Sequence, residues 1–110
     1  RYPNILGHEA TGIVESIGPG VTNVKVGDHI IFSYMPQCLS HDSCANCAGN
    51  LTNMCGIENF DTTVLMRDGT SRFSHNGKTI YHYCGISTFS QYTVCRDTQV
   101  SKVNCSQKSY

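Results

Sequence analysis

The sequence predicts a single, mainly β domain built from many short strands, with a barrel as the architecture such strands form. Three observations carry this. No window of ten or more residues keeps a helical apolar period. Short runs rich in Val, Ile, Thr and Tyr are bounded by Gly, Pro and Asn. Asn76-Gly77 stands between two such runs, the strongest short hairpin signal, because both central residues need positive φ.

Taken in order, residues 12–18 read as a strand running into the turn Gly18-Pro19-Gly20. A short extended run at 24–26 follows, then a turn at Gly27-Asp28. Residues 29–35 form the next strand, with Ile30, Phe32 and Tyr34 on one face. Pro36 ends it, since the residue before proline is biased to extended geometry. Residues 36–61 change character: polar, small and Cys-rich, they cannot bury a core of their own. The predicted hairpin pairs 71–75 with 78–82, and strands at 90–95 and 99–103 complete the set.

Length and charge narrow the function. A chain of 110 residues holds one domain at most. Eight Lys and Arg balance eight Asp and Glu, with no basic run, which argues against nucleic acid or anionic membrane as partner. No stretch approaches the roughly 18 apolar residues of a transmembrane helix. The first residue is Arg1 and no signal-like segment follows it, so the ends are expected to be cuts in a longer chain.

Seven cysteines are the outstanding compositional feature. Cys38, Cys44, Cys47 and Cys55 fall close together, whereas Cys84, Cys95 and Cys105 are scattered. Cys44 and Cys47 place two thiolates on one tight loop. Four soft thiolates in one short segment suit tetrahedral zinc without an open position, a structural site whose binding free energy orders a coreless loop. Two disulfides within the lobe, or free buried thiols, stay open as alternatives, as does replacement of Cys38 by His41 or Asp42. His8 and Glu9, taken alone, read as a hydrogen-bonded or surface histidine and a solvated charge.

Five blocks carry a resemblance. They are Gly7-His8-Glu9-Ala10-Thr11-Gly12-Ile13-Val14-Glu15-Ser16-Ile17-Gly18, then Val26-Gly27-Asp28, then Pro36-Gln37-Cys38, then Asp68-Gly69-Thr70-Ser71-Arg72-Phe73, and Ser87-Thr88-Phe89-Ser90-Gln91-Tyr92-Thr93-Val94. In that order and spacing, residues 3–105 resemble the zinc-dependent medium-chain alcohol dehydrogenases, in their dimeric eukaryotic-type branch. The resemblance implies a GroES-like, partly open β-barrel of the catalytic domain, with a structural-zinc lobe at about 36–61. It implies that His8 is a ligand of the catalytic zinc, with the Glu9 carboxylate behind that metal. Cys38, Cys44, Cys47 and Cys55 would hold the structural zinc. Tyr34, Tyr83 and Cys84 would line the substrate channel, and Phe60 with them.

Two departures stand out. The gap between the first two lobe cysteines, residues 39–43, is three residues longer than in the family, and the stretch between Cys55 and Asp68 is one shorter. The family's remaining catalytic-zinc ligands, its proton relay and its nucleotide-binding domain are expected outside this chain, which has no Gly-x-Gly-x-x-Gly. The implied parent is a cytoplasmic, homodimeric, NAD-dependent enzyme that interconverts small alcohols with aldehydes or ketones, and this piece alone would be inactive. The alternatives are the glutathione-dependent formaldehyde dehydrogenase branch, a non-catalytic zinc-folded module, and an oxidised secreted domain. The first is disfavoured because that branch binds a substrate carboxylate with an Arg a few residues past the last lobe Cys, whereas residues 57–60 here offer no Arg and set the acid Glu58 nearby.

Overall fold

The computed structural model describes residues 1–35, 37–38, 42–49, 53–58 and 64–104. Two antiparallel sheets form its frame. β1 (Thr11–Ile13), β2 (His29–Phe32) and β5 (Val100–Lys102) make a three-stranded sheet in the order β1-β2-β5. β3 (Phe73–His75) and β4 (Lys78–Ile80) make the hairpin. Between the sheets in sequence lie one helical turn, α1 (Ala45–Ala48), and a 3-10 turn at Asp97–Gln99.

The hairpin forms around Asn76 and Gly77 at φ of 49° and 72°, the left-handed pair that a two-residue turn of this kind demands. Its register sets Phe73 opposite Ile80 and His75 opposite Lys78. The strand expected at 29–35 pairs over 29–32, with Ile30 buried and Phe32 half-buried, and Tyr34 stands exposed in a bend beyond its end.

Other strands are shorter than expected, and the reasons are local. Of the segment 12–18, only Gly12 and Ile13 pair with β2. Val14 then exchanges hydrogen bonds with Asp28 and Gly27 at 3.0 and 2.9 Å, where Gly27 turns the chain at φ +89°. The run 24–26 is absorbed by that turn, in which the Lys25 N–H donates to the Asp28 carboxylate at 3.0 Å. Residues 90–95 form no ladder among the described residues, because their hydroxyls turn inward. Ser90 Oγ donates to the Ser87 and Tyr92 carbonyls and Thr93 Oγ1 to the Ile86 carbonyl.

The most buried side chains are Ile86, His82, Ser87 and Gln99, with Cys84 and Ile30 close behind. Beside this core, Val21, Val24, Ile30, Phe32 and Val94 line a cleft of about 720 Å³, so the barrel is partly open. No helix among the described residues is long and apolar enough to cross a membrane. Pro36, the expected strand end, lies outside the described residues, as do His41, Phe60 and Cys105.

Candidate metal lobe and histidine site

The lobe's sulfurs converge. Cys38, Cys44, Cys47 and Cys55 place their Sγ atoms within 4.8 Å of one another, with Cys38 to Cys47 at 3.7 Å and Cys44 to Cys55 at 4.0 Å. A tetrahedron with metal–sulfur bonds of about 2.3 Å has edges of about 3.8 Å. A disulfide needs about 2.05 Å. The spacing therefore fits four thiolates around one zinc and not two disulfides. All four are free cysteines.

Local backbone geometry prepares the set. Cys44 stands at the entry to α1, and N–H groups of Cys47 and Gly56 point at its sulfur, holding its thiol down at about 6. Burial pushes the Cys55 thiol up, but N–H groups of Glu58, Ile57 and Cys38 outweigh it and lower it overall. The Glu58 N–H lies 3.2 Å from Cys55 Sγ. Burial pushes Cys47 up, as expected of a thiol 2% exposed. The four are thus a donor set that a soft dication completes, since the thiolate is the ligand form. Asp42 is exposed and outside this cluster.

The second site is built on three separate segments. His8 is exposed and its ring meets Tyr34 edge-on at 5.4 Å and Tyr83 at 6.0 Å. Three of the expected residues are thereby brought together from distant positions. Cys84 follows Tyr83 but is buried, and burial pushes its thiol up to about 11, so it is a neutral, apolar wall. Glu9 is exposed, and its backbone carbonyl accepts from Thr88 Oγ1 at 3.4 Å. Among the described residues, His8 joins no group of three metal-competent side chains.

Two residues without an expected role fix this geometry. Gly7 is buried at φ +100°, with the Thr88 and Phe89 N–H groups donating to the Gly7 and Leu6 carbonyls at 3.1 and 3.0 Å. A Cβ on Gly7 would lie 2.5 Å from Thr88 Oγ1 and 2.6 Å from the Phe89 nitrogen. Gly7→Ala is expected to cost about 3 kcal/mol through strain and overpacking together. Denaturant unfolding checks this, and an unchanged midpoint would mean that the His8 loop is not docked on residues 88–89.

The other is Gln99, fully buried. Its Nε2 donates to the Cys84 carbonyl at 2.8 Å and its backbone carbonyl accepts from the Ser33 N–H at 2.8 Å. It ties the segment just past β2, where Tyr34 stands, to the turn at 83–87, which carries Tyr83. That turn needs the tie: Cys84, Gly85 and Ser87 all have positive φ.

Glu58 differs from its expected role as a free acid that would repel an anionic substrate. It is 8% exposed and ion-paired with both Arg96 and Arg67, the latter at 2.8 Å. Burial raises it, but the hydrogen bond from Arg96, then Arg67, outweighs burial and holds its carboxyl below the usual range.

Comparison with known proteins decides the family. The model of the alcohol dehydrogenase GroES-like domain matches residues 1–105. The chain belongs to that family. It is 55% identical over 104 residues to the S-(hydroxymethyl)glutathione dehydrogenase of Candida maltosa and 53% identical over 105 residues to the class-3 alcohol dehydrogenase of Zea mays. Each match covers 94% of this chain, and 26% and 27% of those proteins respectively. The chain therefore spans about a quarter of the length of the curated relatives it matches. An alcohol dehydrogenase zinc-binding domain protein from Burkholderia ambifaria superposes with a TM-score of 0.82 at 28% identity, over 96% of this chain and 28% of that one. The GroES-like, mainly β fold expected of the family is thus the fold observed.

Proposed function

We propose that this chain is part of the catalytic domain of a zinc- and NAD-dependent alcohol dehydrogenase that interconverts alcohols with aldehydes or ketones. The observation that carries the reading is the four-sulfur cluster within a domain of this family. Cys38, Cys44, Cys47 and Cys55 hold the structural zinc. A reducing, cytoplasmic setting keeps them as thiolates.

His8 is the ligand this chain gives to the catalytic zinc, and the other ligands and the nucleotide-binding domain belong to the rest of the parent. Bound there, zinc would supply Lewis-acid polarisation of the alcohol oxygen, and NAD would accept the hydride. The chain's own residues do the rest. Tyr34 and Tyr83 fix the imidazole from two edges and wall the space in front of it, and Cys84 backs Tyr83. Glu9 adds negative charge behind the metal and tunes ligand exchange. The two phenols favour an alcohol with a polar tail. The parent is a homodimer.

A second reading is oxidation of a glutathione adduct, since the pairing of Glu58 removes the electrostatic objection to it. With both its oxygens engaged by arginines, Glu58 sets no bare negative charge against an anionic substrate. Formaldehyde oxidation with and without added glutathione separates the two readings.

The metal assignment is tested by composition. The chain purified without chelator is expected to hold about one zinc, because the lobe is a closed four-ligand site and His8 alone is not. Elemental analysis that finds no zinc would overturn the lobe assignment.

A further inference from the structure

We infer that Glu58, clamped by Arg96 and Arg67, is a positioning group for the metal lobe, and that Arg96 controls how fast the four-cysteine site loses its metal. This rests on the reading of the four cysteines as a zinc site.

The geometry runs in one chain of contacts. The Glu58 N–H donates to Cys55 Sγ at 3.2 Å. The Glu58 side chain reaches the other way, out of the lobe and into the domain body. One carboxylate oxygen takes the Arg67 Nε and Nη2 at 3.1 and 2.8 Å, and the other pairs with Arg96. Arg96 lies directly before the 3-10 turn that leads into β5. Its side chain is 12% exposed, against 62% for Arg67. The buried partner is therefore Arg96, and the solvent-facing one is Arg67.

Two physical consequences follow. Among the described lobe residues, Met54 and Ile57 are exposed, and the buried apolar side chains are Cys44 and Cys47. Among the described residues, the ion pair of Glu58 with Arg96 is a buried polar link from the lobe to the segment before β5. A group that donates to a metal-bound sulfur also fixes that sulfur's orientation and tempers its charge. Holding the Glu58 side chain from the body holds its backbone N–H on Cys55.

Arg67 contributes less, because an exposed ion pair is screened and worth little. The two arginines are thus ranked by burial, and the ranking is a measurable claim.

The test uses full-length protein in a His8→Ala background, so that the four-cysteine site dominates the signal. Cadmium replaces zinc, and its thiolate charge-transfer absorption is followed after excess EDTA is added. Arg96→Met and Glu58→Gln are each expected to speed metal loss by about 10- to 100-fold, the scale set by groups that orient metal ligands. The double variant should lose metal no faster than the faster single one, because both break one link. Arg67→Met should change the rate less than about threefold. Arg96→Lys, which keeps the charge and should fold even where Arg96→Met does not, is expected to fall between wild type and Arg96→Met. Far-UV circular dichroism before EDTA confirms folding of each variant. Rates of Arg96→Met, Arg96→Lys and Glu58→Gln all within twofold of wild type would overturn the inference while leaving the metal site intact. Absence of charge-transfer absorption in the His8→Ala protein itself would instead overturn the zinc reading beneath it.

Discussion

Cys47→Ser is expected to empty the lobe of metal and to lower the melting temperature of the full-length protein by more than about 10 °C. Cys47 is 2% exposed and sits 3.7 Å from Cys38 sulfur to sulfur. A serine there leaves three thiolates and a weak oxygen donor in a site built for four sulfurs. The metal contributes folding free energy directly, about 10–16 kcal/mol in small zinc-dependent peptides. A loss of about 5 kcal/mol moves the melting point of a 150–250-residue domain by about 10 °C or more. Elemental analysis and a thermal scan give the result together. Retained zinc with an unchanged melting point would remove Cys47 from the ligand set. A wild-type melting point that falls on adding reductant would point to disulfides, although the sulfur distances of 3.7 and 4.0 Å argue against them.

What could be read from the sequence was what sequence keeps close. Asn76-Gly77 specifies its turn within two residues, and the hairpin follows. Cys44 and Cys47 specify their loop within four, and the other two sulfurs join them. The strand at 90–95 failed because a strand exists only through its neighbour, and alternation along one segment cannot report whether a neighbour is there. The link between Tyr34, Tyr83 and His8 spans three distant segments, and family resemblance alone brought them together. Glu58 was misread for the same reason. Beside Cys55 it looks like a bare acid, and nothing in the neighbouring sequence announces that Arg67 and Arg96 fold onto it. Gln99 left no signal at all, since a buried amide that bridges two loops has the same one-letter code as a solvated one.

His8→Ala is expected to do the reverse of Cys47→Ser, abolishing turnover while sparing the fold. The imidazole is exposed, and its recorded ring contacts are two aromatic edges, Tyr34 and Tyr83. Deleting an exposed side chain of this kind costs within about 0.5 kcal/mol of stability. Its chemical cost is much larger. A catalytic metal short of one ligand loses several kcal/mol of charge stabilisation at the alkoxide, and each 1.36 kcal/mol is tenfold in rate, so kcat/KM should drop by about a thousandfold or more. Gly7→Ala offers the contrast that separates positioning from ligation. It leaves the imidazole present but unseats the loop that holds it against residues 88–89, so it should lower stability and activity together. Measured on one full-length protein with alcohol and NAD, the pair yields two signatures: activity lost with the melting point held for His8→Ala, and both lost for Gly7→Ala. If His8→Ala unfolds the protein while Cys47→Ser leaves it stable, the structural and catalytic roles of the two sites have been interchanged. If His8→Ala keeps its activity, the exposed histidine between the two tyrosines is not a metal ligand.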